Sequence, residues 1–254
     1  MWLLNSLIIA MAMYSKIPMP MADWNEKNMK YAMCFFPVVG VVTGGAVYLA
    51  GLGLLQFTSC GSVLFAVVMT LIPVLITGGI HLDGFADTVD ALSSYGDREK
   101  KLEILKDPHT GAFAIIGLCC YFLCCVGVWS EVTLKQLPVL AWIFVFSRAM
   151  SGISVVSFQA AKNSGLLRTF QDSAQKRRVR VVLILWAIVA VVMMMKQSVP
   201  MGIATCVTGI LVFLYYYWFS KKKFGGITGD LAGYFLQVCE LAMITVCMIA
   251  GKIV

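Results

Sequence analysis

The sequence predicts an all-α, polytopic integral membrane helix bundle, and three observations support that fold class. The chain is 60% hydrophobic and only 13% charged, whereas soluble domains carry roughly 25% charged residues. Its mean hydropathy is +0.85. Long apolar runs recur along all 254 residues, separated by short polar loops. Because a lipid-exposed backbone must satisfy its own hydrogen bonds, every run is expected to be helical. We expect one membrane-embedded domain, residues 1–254.

About seven runs have the length of a transmembrane helix. They lie near 33–55, 62–82, 111–130, 136–156, 181–196, 199–219 and 233–251, and the fifth is short. The N-terminal run MWLLNSLIIAMAMYSKIP is too short for a span, and we predict a re-entrant or interfacial helix there. It lacks a basic n-region and a small-residue cleavage site, so a signal peptide is not expected.

The basic residues predict the orientation of these spans. Sixteen of the twenty Lys and Arg residues fall in loops on one side. They are Lys16, Lys27, Lys30, Arg98, Lys100, Lys101, Lys106, Lys162, Arg168, Lys176, Arg177, Arg178, Arg180, Lys221, Lys222 and Lys223. The other side has only Lys135, Lys196 and Lys252. The positive-inside rule then places the N-terminus in the cytoplasm and the C-terminus outside. The polar loops are all cytoplasmic in this arrangement, so we expect activity at that face of a bacterial inner membrane.

Charge, cysteines and repeats exclude other classes. The net charge of +7 does not indicate nucleic-acid binding, because the basic residues are confined to loops between apolar runs. Cys119, Cys120, Cys124 and Cys125 share one apolar run, where thiols behave as small hydrophobic groups. No internal repeat is visible, which disfavours a transporter built from duplicated halves.

The segment GGIHLDGFADTVDAL carries three aspartates at a membrane boundary. On a helix, Asp83, Asp87 and Asp90 fall on one narrow stripe. Adjacent carboxylates repel one another unless a cation lies among them, and oxygen ligands suit Mg²⁺ shared with phosphates. We predict that all three bind metal, against the alternative of helix caps or a solvated loop. His81 and His109 are the chain's two histidines, and either is a candidate general base. Helical periodicity turns His81 away from the stripe.

The segment KKKFGGITGDLAG predicts a second half of the site. Gly225, Gly226 and Gly229 allow a ligand to approach the backbone closely. Thr228 supplies a hydroxyl and Asp230 another carboxylate. We predict phosphate binding by the glycines and Thr228, and metal binding by Asp230. The segment is not a Walker A motif, and the alternative is an ordinary helix–helix turn.

Three further polar residues are candidate ligands. Lys106 could contact a phosphate, and Asp107 could bind metal or substrate or cap a helix. Arg148 lies within an apolar run, where an unpaired charge is costly. It either pairs with Glu240 or reaches a substrate phosphate.

These motifs resemble those of a known family. GGIHLDGFADTVDAL, ILKDPHTGAF and GGITGDLAG are similar to segments of the cobalamin synthase family, the adenosylcobinamide-GDP ribazoletransferases. MYSKIPMP, YAMCFFPVVGVVTGG, SRAMSG and AKNSGLLRTF are weaker landmarks of the same family. The resemblance covers nearly the whole chain. Pro108-His109-Thr110 after Asp107 departs from the residues the family often has there, so no role is assigned to His109.

The resemblance implies a reaction, a cofactor and a set of residues. The enzyme would join adenosylcobinamide-GDP to α-ribazole or its 5′-phosphate and release GMP, using Mg²⁺. The ribose 3′-hydroxyl would attack the phosphoryl group on the corrinoid's aminopropanol arm. Asp83, Asp87 and Asp90 match the family's acidic motif, and Asp230 its glycine-rich motif. We expect Asp83, Asp87 or His81 to be catalytic. A homo-oligomer, or association with other enzymes of the corrinoid pathway, stays open.

Two other functions remain as alternatives. CDP-alcohol phosphotransferases of lipid synthesis also use aspartates in a membrane helix, and Asp83-Gly84 begins like their motif. The following Ala-Arg and the later spacing are absent. An ion-coupled carrier would use Asp83 and Glu240 for the coupling ion, but the acids lie at the boundary of the predicted spans.

Overall fold

The computed structural model describes residues 2–161 and 166–253. Residues 162–165, within the AKNSGLLRTF landmark and including the predicted loop residue Lys162, lie outside them. The described part of the chain is helical without named strands; a single β-bridge joins Ala160 to Ile227. The all-α prediction is confirmed.

Twelve α-helices lie in the described ranges, and a 3₁₀ turn at Ala32–Phe35 precedes the third. They are α1 (Trp2–Tyr14), α2 (Glu26–Met29), α3 (Phe36–Phe57), α4 (Ser62–Thr77), α5 (Ile80–Ser93), α6 (Arg98–Ile104), α7 (Ala112–Trp129), α8 (Leu137–Ser157), α9 (Leu166–Ser173), α10 (Lys176–Gln197), α11 (Val199–Phe224) and α12 (Gly229–Ile253).

The described helices include six that are each long and apolar enough to cross a membrane: α3 with the turns before it, α7, α8, α10, α11 and α12. The bent pair α4–α5 is a seventh if it counts as one span. This confirms the predicted multi-pass bundle. The N-terminal α1 has 13 residues and is shorter than each of these helices; its re-entrant or interfacial placement stays a prediction.

The predicted span 62–82 is wrong as a single helix. Gly78 and Gly79 adopt φ values of 66° and 79°, a left-handed conformation that costs other residues about 1–2 kcal/mol. The chain turns by 98° there, between α4 and α5. Since α5 also carries the three aspartates, we assign the crossing to α4 and place α5 at the end of the bundle.

The basic residues extend two helices beyond their predicted ends. The predicted short span 181–196 is a 22-residue helix that begins at Lys176. The predicted span 199–219 continues through three lysines to Phe224. The predicted polar loop 220–232 therefore narrows to residues 225–228, because α12 already begins at Gly229.

The most buried of these long helices is α8, because 83% of the residues in its most apolar stretch lie inside the bundle. Glycines let α3 pack directly on it, since a Cβ at Gly40 would lie 2.4 Å from the Phe144 carbonyl oxygen. A Cβ at Gly44 would lie 2.0 Å from the carbonyl oxygen of Ala141. Pairing 40 with 144 and 44 with 141 makes α3 and α8 antiparallel, as alternate crossings require.

The segments predicted for one side of the membrane meet at one end of the bundle. Residue 226 packs on Gln159, and the guanidinium of Arg98 lies over Gly225. The backbone N–H of Lys16 donates to the Ile76 carbonyl at 2.7 Å, which anchors the end of α1 beside the α4–α5 break. At the opposite end, Gly251 packs on Gln136. The candidate residues on α5 and α12 lie at the first of these ends.

Candidate active site

Helices α5 and α12 are in backbone contact at their first turns. A Cβ added to Gly84 would lie 2.8 Å from both Cα and the carbonyl oxygen of Asp230. One added to Gly233 would lie 2.9 Å from the His81 carbonyl oxygen. Because real Cβ atoms do not come this close, glycine at both positions allows the helices to approach. This contact brings together the two motifs that the sequence placed about 140 residues apart.

A cavity of about 340 Å³ opens at this junction. Its polar lining includes His81, Asp83, Thr228 and Asp230, together with Ser151 of α8. Most of its other walls are apolar side chains from α1, the 3₁₀ turn, α8 and α9. Concave, largely apolar sites with a few convergent polar groups are typical of small-molecule binding.

The aspartates form one electrostatic cluster. Burial raises the pKa of Asp87 to about 6, with contributions from Asp83, Asp230 and Asp90. The side chain of Asp83 is exposed, and the other three are half-buried. The four predicted metal residues therefore act on one another, and each negative charge makes the next more costly unless a cation offsets it.

The donor set suits Mg²⁺ shared with a phosphorylated substrate. Within the described ranges, no three His, Cys, Asp or Glu side chains converge into a metal cage. Mg²⁺ usually keeps several waters and takes one or two carboxylates plus substrate phosphates, so it does not need such a cage. Oxygen donors from Asp83, Asp87, Asp90 and Asp230 fit this pattern.

Asp90 differs from the others in its surroundings. A Cβ at Gly111 would meet the Asp90 carboxylate at 2.2 Å, so this side chain lies against the N-cap residue of α7. A carboxylate is favoured at a helix N-terminus. The geometry gives Asp90 a structural contact in addition to the predicted metal role.

His81 is buried, yet it lines the same cavity as Asp83. Its ring packs near Tyr14 and Phe36, with centroid distances of 6.1 and 6.0 Å. Its Nε2 has no hydrogen-bond partner among the residues that the structure describes. Burial, with a smaller effect of Arg148, lowers the pKa of His81 to about 3. A base this weak is poorly matched to proton transfer at neutral pH, which favours an uncharged, positioning role for this ring.

The glycine-rich segment divides into a turn and a cavity wall. Gly225, with a φ of 75°, ends α11 and donates its N–H to the Lys221 carbonyl. Gly226 packs against Gln159, and neither glycine lines the cavity. Thr228 Oγ1 accepts from the Leu231 N–H at 3.2 Å and donates to Asp230 Oδ2 at 3.3 Å. Thr228, Gly229 and Asp230 all line the cavity.

Lys106 and Asp107 are exposed in the loop before α7 and lie outside the cavity lining. Asp107 accepts from the backbone N–H of His109 at 2.9 Å and contacts its Nδ1 at 2.7 Å. These contacts lower the pKa of Asp107. The Asp107–His109 pair folds the loop locally, and the phosphate role of Lys106 stays a prediction.

Arg148 forms the buried ion pair that the sequence offered as an alternative. Its Nη1 donates to Glu240 Oε1 at 2.5 Å and to the Phe144 carbonyl at 3.1 Å. Ser147 Oγ donates to the same Glu240 oxygen at 2.7 Å. Arg148 lines a separate cavity of about 30 Å³ rather than the one beside Asp83. The pair therefore joins α8 to α12, and a direct phosphate contact by Arg148 stays a prediction.

Sequence reasoning missed the apolar wall of the cavity. Tyr14, Met33, Phe36, Val155 and Phe170 all line it. In a chain this hydrophobic, such residues cannot be distinguished from lipid-facing or core positions by pattern. Only their convergence in three dimensions marks them.

Comparison with known proteins decides the family. The family model described as "Cobalamin-5-phosphate synthase" matches residues 6–248. The chain belongs to this family. The cobalamin-5-phosphate synthase match spans α1 to α12 and includes both aspartate motifs. It confirms the predicted membership and, with it, the prediction of an enzyme of cobalamin biosynthesis.

Curated relatives of this family resemble the chain over nearly their full length. The chain is 48% identical over 238 residues to the adenosylcobinamide-GDP ribazoletransferase of Lachnoclostridium phytofermentans, covering 94% of this chain and 91% of that protein. It is 32% identical to the Clostridium perfringens (strain 13) protein of the same name, covering 91% and 92%. The Fusobacterium nucleatum protein of that name is 29% identical, covering 95% and 96%. No solved structure matches the chain.

Proposed function

We propose that this chain joins adenosylcobinamide-GDP to α-ribazole, or to its 5′-phosphate, and releases GMP. The observation that carries the proposal is the shared cavity of Asp83 and Asp230, on helices in backbone contact at Gly84. The relatives are named as adenosylcobinamide-GDP ribazoletransferases, and this name supplies the corrinoid and ribazole substrates. The aspartate cluster supplies carboxylates that could hold a divalent cation, and this cation would in turn bind the diphosphate.

The reaction is a displacement at phosphorus. The ribose 3′-hydroxyl oxygen forms a bond to the phosphorus on the corrinoid's aminopropanol arm, and the bond from this phosphorus to the bridging oxygen of GMP breaks. The hydroxyl proton passes to a carboxylate of the cluster. Mg²⁺ held by Asp83, Asp87, Asp90 and Asp230 would neutralise phosphate charge. The protein contributes mainly by positioning the two substrates, because displacements at phosphorus depend on the correct placement of the reacting groups.

We also propose that this chemistry takes place at the cytoplasmic face of a bacterial inner membrane. The loops that carry most Lys and Arg residues are joined to the helix ends that form the cavity. Basic loops remain on the cytoplasmic side during insertion. Both proposed substrates are polar, water-soluble molecules that would reach the cavity from that side.

A defined assay tests the function. Purified protein with adenosylcobinamide-GDP, α-ribazole and Mg²⁺ is expected to release one GMP for each cobalamin formed, as measured by chromatography. A chelator should abolish release, and excess Mg²⁺ should restore it. GMP release that does not need α-ribazole, or no release at all, would contradict the proposal. CMP release from a CDP-alcohol would instead support the lipid enzyme.

The α5–α12 contact gives a second expected result. In Gly84→Ala, the added methyl group would overlap the Asp230 backbone, so α5 should move away from α12. A misplacement of about 1 Å costs up to ~10²-fold in rate, and partial relaxation leads us to expect about a tenfold loss of kcat. The measurement is steady-state GMP release.

The matched control is Gly127→Ala on α7. A Cβ at that position meets nothing within 4 Å, and alanine favours a helix by about 1 kcal/mol over glycine. This variant should keep wild-type turnover. Equal activity of Gly84→Ala and Gly127→Ala would show that close approach of α5 to α12 is not needed.

A further inference from the structure

Part of the wall of the active-site cavity is aromatic. Tyr14 and Phe36 lie 4.3 Å apart between ring centroids, and both flank His81. Phe170 of α9 and Met33 of the 3₁₀ turn complete this apolar wall with Val155 of α8. Gln171 Nε2 donates to the Val155 carbonyl at 2.8 Å, which fixes α9 on the end of α8. The wall is thus assembled from segments far apart in sequence.

The volume of the cavity indicates which substrate of the proposed reaction it can hold. Its volume is about 340 Å³, at the lower end of the roughly 300–1,000 Å³ of small-molecule sites. A corrinoid carrying a nucleotide is several times larger than such a space and is rimmed by amides. A nucleoside with a flat, apolar base has a suitable size, and aromatic and Met side chains pack well on a flat ring.

The polar and apolar linings match the two parts of a nucleoside. Asp83, Thr228 and Asp230 come from the first turn of α5 and the start of α12. A ribose placed beside them would present its hydroxyls to the carboxylates. The base would then extend toward the wall formed by Tyr14, Phe36 and Phe170.

We propose that this cavity is the binding site for the attacking nucleoside, with its aromatic base in the apolar wall and its ribose at Asp83 and Asp230. The corrinoid nucleotide then stays outside the cavity and presents only its diphosphate to the aspartates. This inference rests on the proposed function for the identity of the nucleoside. It gives the residues of the apolar wall a role in selecting the base.

Filling the apolar wall tests the assignment. Val155→Phe adds volume at the wall, so its ring would occupy space that the base needs. We expect KM for α-ribazole to rise at least about tenfold, while KM for adenosylcobinamide-GDP and kcat at saturation stay near wild type. The control is Val145→Phe on the same helix. Val145 lines a different groove, with Trp142 and Gln197, and ten residues of helix separate the two sites by about 15 Å.

Direct binding separates failure of this inference from failure of the proposed function. Equilibrium dialysis with labelled α-ribazole, without the corrinoid, should show binding to wild type and Val145→Phe and weak binding to Val155→Phe. The same pattern without any GMP release in the assay would support the site and reject the reaction. Two results in Val155→Phe would reject the cavity as the α-ribazole site while leaving the proposed reaction intact. One is normal GMP release with a raised KM for adenosylcobinamide-GDP, and the other is normal GMP release with an unchanged KM for α-ribazole.

Discussion

Replacing Asp83 or Asp230 with asparagine is expected to lower kcat/KM for GMP release by about 10²–10³-fold, the loss that follows removal of one preorganised charge-stabilising group. Both side chains line the same cavity, from helices that touch at Gly84. Asparagine keeps the size of the side chain but removes a negative charge from the cluster. The Mg²⁺ concentration for half-maximal activity should rise in both variants, because a neutral amide binds Mg²⁺ less well than a carboxylate does.

Asp97→Asn is the matched control for this isosteric change. Asp97 is exposed and caps α6 by accepting from the Lys100 N–H at 2.9 Å. Asparagine caps helices about as well as aspartate, so turnover and Mg²⁺ dependence should be unchanged. Activity within about twofold of wild type in Asp83→Asn or Asp230→Asn would remove that residue from the site, since charge stabilisation normally contributes far more than this.

Glu240→Leu is expected to give the largest loss of stability. It would leave the Arg148 guanidinium buried without its carboxylate, since the side chains of Arg148 and Glu240 are only 1% and 5% exposed. Removing one partner of a buried ion pair costs about 3–5 kcal/mol. The measurement is unfolding in detergent micelles, followed by circular dichroism, with wild type as the reference.

The double variant Arg148→Met/Glu240→Leu distinguishes an ion pair from simple packing. Replacing both charges with apolar groups removes the unpaired charge, so the double variant should be more stable than Glu240→Leu alone. If the double variant loses as much stability as Arg148→Met and Glu240→Leu lose together, the two residues do not stabilise the fold as a pair. Arg148→Met also tests the predicted phosphate contact: if the ion pair is only structural, the KM of the folded protein for adenosylcobinamide-GDP, which carries the diphosphate, should stay near wild type.

The local chemistry of the aspartate segment was predictable because it depends on spacing along one helix. Residues 83, 87 and 90 share a stripe on any helix, and α5 indeed covers Ile80–Ser93. The six long apolar helices could also be read from hydropathy, since a membrane leaves the backbone few other structures. The break at Gly78 and Gly79 could not, because hydropathy is insensitive to a left-handed turn inside an apolar run.

The role of Arg148 shows the limit of sequence reasoning on the site. The sequence offered an ion pair with Glu240 or a phosphate contact, and both satisfy the cost of a buried charge equally well. Only the packing of α8 against α12 brings Nη1 to 2.5 Å from Glu240 Oε1. The same is true of Gly225, whose left-handed φ ends α11 and explains the glycine without any ligand.

The sequence by itself determined that this protein is a helical membrane protein with two acidic motifs, because apolar length and local residue spacing are properties of a linear chain. Its membership of the cobalamin-5-phosphate synthase family follows from similarity of sequence over residues 6–248. The tertiary structure alone decided which residues enclose the cavity. That enclosure depends on glycines that let α5 and α12 touch, and on apolar side chains from α1, α8 and α9 that converge on the same space. Contacts between distant segments follow from packing of the whole bundle, which no local pattern in the chain records.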